Sequence, residues 1–100
     1  MPLLFSYGTL QTAEVQQSTF GRVVRADYDR LPRFAPATAG PHANAVFTGD
    51  PADGVPGMAL DLTDAELSRA DEYERPFDYR RISVTLASGR EAWVYVFSPL

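Results

Sequence analysis

The sequence predicts an α+β fold: a small, mixed, mostly antiparallel sheet curled like a barrel, with one main helix. Three observations carry this expectation. Short apolar stretches bounded by glycine, proline and aspartate recur along the chain. One segment, from Thr63 to about Glu74, has the cap and the spacing of a helix. The last third alternates on both sides of Ser88-Gly89, as a hairpin does. The 100 residues suit a single domain, taken as residues 1–100.

The elements are expected in the following order. Leu3-Leu4-Phe5-Ser6-Tyr7 reads as a strand ended by Gly8. Thr12 can cap a short helix through Ala13 to Gln17. Phe20 to Ala26 reads as a second strand. Pro32, Pro36, Gly40 and Pro41 make Leu31 to Asn44 loop or edge structure, because proline cannot donate to a ladder. Ala45 to Thr48 is a short strand, Asp50 to Gly54 a turn, and Val55 to Leu62 a strand. Thr63 with Glu66 three residues on forms a capping box, and Asp64 and Glu66 put negative charge where the helix dipole favours it. Pro76 stops this helix, since the residue before a proline avoids the α region. Tyr79 to Leu86 and Glu91 to Phe97 then pair as antiparallel strands.

Composition removes several classes of function. The chain is 45% apolar and 22% charged, an ordinary globular balance. No apolar run approaches the roughly 20 residues that span a bilayer, and the first residues lack a basic segment and a cleavage site. A cytoplasmic location is expected. With no cysteine there is no disulfide, no thiolate metal site and no cysteine nucleophile. All nine basic residues are arginine, which rules out lysine Schiff-base chemistry. A net charge of −4 without a basic cluster gives nucleic-acid binding no support.

Two constellations could carry chemistry. Tyr7-Gly8-Thr9-Leu10 directly follows a strand, and consecutive backbone amides after a glycine can form a nest for an anion, although a plain turn reads the same way. The second is Glu74. At about 100° per residue it shares a helix face with Leu67 and Ala70, so it points towards the core if the helix reaches that far. A buried carboxylate has a raised pKa and suits acid/base work near neutrality. The other orientation also stands: Glu74 frays outward and pairs with Arg75, Arg80 or Arg81. His42, the sole histidine, reads as a solvated loop residue. No serine sits in a nucleophile elbow. In the last strand Trp93 and Phe97 are placed on one face and Tyr95 on the other, as wall residues. Tyr79 and Tyr95 are candidates to present hydroxyls to a cavity, while Tyr28 and Tyr73 have no assigned place.

Taken together, two segments resemble the gamma-glutamylcyclotransferase-like family. Leu4-Phe5-Ser6-Tyr7-Gly8-Thr9-Leu10 resembles its opening strand and loop, nearest the gamma-glutamylamine cyclotransferase branch. Asp71-Glu72-Tyr73-Glu74 followed by Tyr79-Arg80-Arg81 is similar to its second signature, and Glu91 to Phe97 to its late strand with a tyrosine, here Tyr95. The sequence departs from the family where Arg75 follows the glutamate, a position often held by glycine. The resemblance implies a barrel-like fold with a cavity at its mouth. It implies substrate binding at Gly8, Thr9 and Leu10, with Tyr7, Tyr79 and Tyr95 around it, and Glu74 as catalytic acid/base. It further implies release of 5-oxoproline from a small gamma-glutamyl amine or amino-acid derivative, by attack of the substrate's own α-amine on its γ-carbonyl. No metal or organic cofactor is called for, no nucleic acid or membrane partner is expected, and the oligomeric state is open. Two rival readings stand beside it: a non-catalytic protein of the same fold that binds a small carboxylate, and a protein-interaction module.

Overall fold

The computed structural model describes residues 2–98. Their elements follow in the order β1 (Leu3–Ser6), α1 (Ala13–Phe20), β2 (Ala26–Pro32), β3 (Phe34–Ala39), β4 (His42–Phe47), β5 (Gly54–Asp61), α2 (Asp64–Glu74), β6 (Tyr79–Thr85) and β7 (Glu91–Phe97). Short 3₁₀ turns lie at Thr9–Gln11 and Arg75–Phe77. Five strands form one sheet in the order β2-β5-β1-β7-β6, and β3 and β4 pair as a separate two-stranded ribbon. Only β1 with β7 runs parallel; the other pairs are antiparallel.

The sheet is covered on both faces, which explains why Leu4 and Phe5 are adjacent in sequence and both buried. Strand residues alternate in direction. Leu4 packs with Leu60 and Leu62 under Phe20 of α1 and Leu67 and Ala70 of α2. Phe5 packs with Ala59 and Val94 against Phe34 and Ala45 of the ribbon. Each leucine, valine or phenylalanine so removed from water is worth about 1.5–3 kcal/mol. Gly57 of β5 lies opposite this central strand. A Cβ there would stand 2.4 Å from the Ser6 carbonyl oxygen and 2.7 Å from the Phe5 ring, so this position admits only hydrogen.

Three expectations are corrected. The sheet does not close into a barrel: β2 and β6 share no ladder and remain edges. They meet at one end only, where Ala87 N–H donates to the Arg30 carbonyl at 2.9 Å. There Asp29 also accepts from Ser88 Oγ at 2.6 Å and from Arg90 Nη2 at 3.1 Å. The strand expected from Phe20 to Ala26 is not formed. Helix α1 continues to Phe20, which is buried, and Gly21 ends it in the left-handed conformation at φ 79°. Only Ala26 begins a strand. Tyr95 shares its face with Trp93, both packing on the helix side, while Ala92 and Val94 face the ribbon. The two-residue period of a strand requires this.

Candidate functional site

Helix α2 is built as its sequence dictates. Thr63 Oγ1 accepts from Glu66 N–H at 3.1 Å, and Glu66 Oε1 accepts from Thr63 N–H at 2.8 Å. Glu66 does a second job that its spacing did not reveal. It is buried, and Arg22 grips its carboxylate through Nε at 2.7 Å and Nη2 at 2.8 Å, fastening the α1–β2 connection to the start of α2. The Arg22 bond holds the Glu66 carboxyl down at about 2, against the opposing effect of burial.

At its other end α2 does not fray. The chain passes through the 3₁₀ turn at Arg75–Phe77 and reverses at Asp78, whose φ is 62°. Glu74, one turn beyond Ala70, therefore faces inward and lines a cavity of about 200 Å³. Among the described residues it has no hydrogen-bond donor and no ion pair. Burial raises its carboxyl from 4.5 to about 7. Arg81, one of the partners open to it from sequence, is engaged by Asp71 at 3.6 Å. Arg75 is exposed and forms no ion pair with Glu74.

The opposite wall is the loop after β1. Gly8, Thr9 and Leu10 line the same cavity. The loop's carbonyls are tied down: Gln11 donates its amide (3.2 Å) and Nε2 (3.1 Å) to Gly8 O, and Thr12 Oγ1 donates to Thr9 O at 2.9 Å. Among the described residues the amides of Thr9 and Leu10 have no acceptor, so two donors are left for a ligand. A Cβ placed on Gly8 would meet no atom within 4 Å; the space beside it is open.

Three tyrosines complete the enclosure, and each has its hydroxyl engaged. Tyr7 donates to the Tyr95 carbonyl, Tyr79 to the Ala43 carbonyl, and Tyr95 to Asp71 Oδ1 at 2.6 Å. Burial raises all three phenols above their ordinary value, and the nearby Glu74 charge adds to it in each. Every residue singled out from the sequence thus lies on one cavity: Tyr7, Gly8, Thr9, Leu10, Glu74, Tyr79 and Tyr95. Sequence reasoning missed others. His42 is exposed, as expected, yet it also lines the cavity, and its ring lies 4.7 Å from that of Phe77. Tyr73 also lines it and shares a 2.9 Å hydrogen bond with Thr9 Oγ1. His42 reaches the cavity because β4 docks on the β6–β7 side, where Tyr79 donates to the Ala43 carbonyl and Phe97 N–H to Asn44 Oδ1, and no local signal announces that. Tyr28 stands apart, 88% exposed on the β2 edge. Among the described residues no group of three histidine, aspartate or glutamate side chains is placed to hold a metal ion.

The sequence model of the family described as "Gamma-glutamyl cyclotransferase, AIG2-like" matches residues 4–100. The chain belongs to that family. Among solved structures, an Arabidopsis thaliana protein determined in solution aligns with a TM-score of 0.82 and 22% identity, over 96% of this chain and 61% of its own. A structure described as a gamma-glutamyl cyclotransferase aligns with a TM-score of 0.76 and 20% identity, over 96% and 66% of the two chains. An uncharacterized protein from Pyrococcus horikoshii aligns with a TM-score of 0.76 and 15% identity, over 100% and 80%. The family member described here therefore shares their fold while spanning about three fifths to four fifths of their length. No curated protein matches it by sequence.

Proposed function

We propose that residues 1–100 form one gamma-glutamylcyclotransferase-like domain that releases 5-oxoproline from a small gamma-glutamyl amine or amino-acid derivative. The observation that carries this reading is an unpaired, burial-raised carboxylate, Glu74, on the same small cavity as the free amides of Thr9 and Leu10. Family membership supports the reaction class. The volume suits a ligand smaller than a drug molecule.

In this reading the loop amides hold the substrate's glutamyl end, and the aromatic walls bend it so that its α-nitrogen meets its γ-carbonyl carbon. Such proximity can lower a barrier by about 7 kcal/mol or more. The α-nitrogen forms a bond to the carbon of the γ-carbonyl group, and the bond from that carbonyl carbon to the departing nitrogen breaks. Glu74 accepts a proton from the attacking nitrogen and returns it to the leaving one, so the carboxylate ends as it began. A base near 7 is half ionised at neutral pH, which suits both halves of the task. No nucleophile from the protein enters. Incubation with a panel of gamma-glutamyl amines and gamma-glutamyl amino acids should release 5-oxoproline from at least one. Glu74→Gln should lower kcat by about 10²–10⁴-fold while ligand binding persists. Release that is undiminished in that variant would remove Glu74 from the mechanism.

A further inference from the structure

The titratable groups that line the cavity with Glu74 come from three strands, from the loop after β1 and from its own helix: His42, Tyr79 and Tyr95, then Tyr7, then Tyr73. Tyr7 and Tyr79 give their hydroxyl protons to backbone carbonyls, and Tyr73 is bonded to Thr9. The Tyr95 hydroxyl differs. It lies within electrostatic range of Glu74, Asp71 and Arg81 together, and its short bond, at 2.6 Å, is to a side chain, with the Leu67 carbonyl a longer second acceptor at 3.5 Å. That side chain, Asp71, sits three residues before Glu74 on α2, where residues at this spacing share a face. The same Asp71 oxygen that accepts from Tyr95 at 2.6 Å also faces Arg81 Nε at 3.6 Å. Arg81 is steadied from behind by the Trp93 ring, 4.6 Å from the guanidinium carbon.

We infer that Asp71 is a positioning residue for Glu74: its carboxylate takes up the Tyr95 hydroxyl and the Arg81 guanidinium, and so keeps a donor and a cation off the carboxylate that lines the cavity. The inference rests on the reading of Glu74 as the acid/base. A free hydroxyl or guanidinium beside Glu74 would favour its ionised form and weaken it as a base. The cavity itself cannot prevent that, because burial raises a carboxylate only while no partner reaches it. Asp71 is thus the part of the signature that keeps the base unpartnered, and it does so without touching the reacting atoms.

The test follows the Glu74 carboxyl directly, by ¹³C NMR titration of the intact chain labelled in glutamate, without substrate. In the wild type it should titrate near 7. Asp71→Ala should lower that midpoint by one pH unit or more. Asp71→Asn, which keeps an acceptor for Tyr95 but releases Arg81, should lower it by less. Adding Arg81→Gln and Tyr95→Phe to Asp71→Ala should return it towards the wild-type value. Arg81→Gln alone should leave it in place. A midpoint unmoved in Asp71→Ala, or moved by Arg81→Gln alone, would overturn the inference. Because turnover is not used, the two ideas fail separately. A shifted midpoint in a protein that releases no 5-oxoproline would sink the proposed reaction but not the role of Asp71. Turnover with an unmoved midpoint would do the reverse.

Discussion

Replacing Glu74 by glutamine has a consequence for stability that can be worked out before any substrate is known. The folded chain holds this carboxyl at about 7 against 4.5, and burial is the cause. Between those two values the folded state keeps a proton that the unfolded chain has released. Stability contributed by this group is therefore fully present below 4.5 and is lost as pH rises through 7. One pH unit across that window is worth about 1.4 kcal/mol, so the whole interval amounts to roughly 3.4 kcal/mol. Glu74 is only partly buried at the cavity mouth, and solvent there brings the figure to about 1–2 kcal/mol. Glutamine has no charge to bury. The Glu74→Gln protein should equal the wild type at pH 4 and exceed it by about that amount at pH 8, which for a domain of this size is about 4–8 °C in Tm per kcal/mol. Urea denaturation of both proteins from pH 4 to 8 measures it, and the difference between them cancels every other titrating group. A difference that stays flat with pH, or a variant less stable at pH 8, would show that the carboxylate is not desolvated and would refute the reasoning.

Other outcomes follow from the packing. Gly57→Ala should destabilise the fold by about 1–3 kcal/mol, because the new methyl meets the Ser6 carbonyl, which belongs to backbone and cannot step aside; an unchanged denaturation midpoint would contradict this. Glu66 titrates in the opposite sense to Glu74. Its contribution is present above 4.5 and lost as pH falls through about 2, so acid unfolding should flatten in Glu66→Gln, followed by far-ultraviolet circular dichroism between pH 2 and 5.

Much of the site was legible because its signals are local. The Thr63–Glu66 box fixes where α2 begins, and counting from there puts Glu74 on the Leu67–Ala70 face. The strand-then-glycine pattern at Tyr7-Gly8 likewise needs no distant partner. What was not legible depends on pairings far apart in sequence. Phe20 could have been strand or helix; the core under α1 decides it, and Gly21 then serves as a helix stop. Whether the sheet closes depends on β2 reaching β6, which no single segment encodes. His42 and Tyr73 enter the site only through the ribbon's placement and the Thr9 contact. The face of Tyr95 is a different matter: period-two counting from Trp93 was sufficient to place it.

The parallel pairing of β1 with β7 sets an order of assembly. The loop that offers free amides leaves the carboxyl end of β1, and Tyr95 stands near the same end of β7. On a ribosome, β1 emerges first and can zip to β5 once residue 61 is out. Its other edge stays bare until residues 91–97 follow, because β7 has no substitute as neighbour. The candidate hollow, walled in part by Tyr79 and Tyr95, is thus complete only once the last strands have joined, and a nascent chain stalled before residue 91 would leave one edge of β1 unpaired.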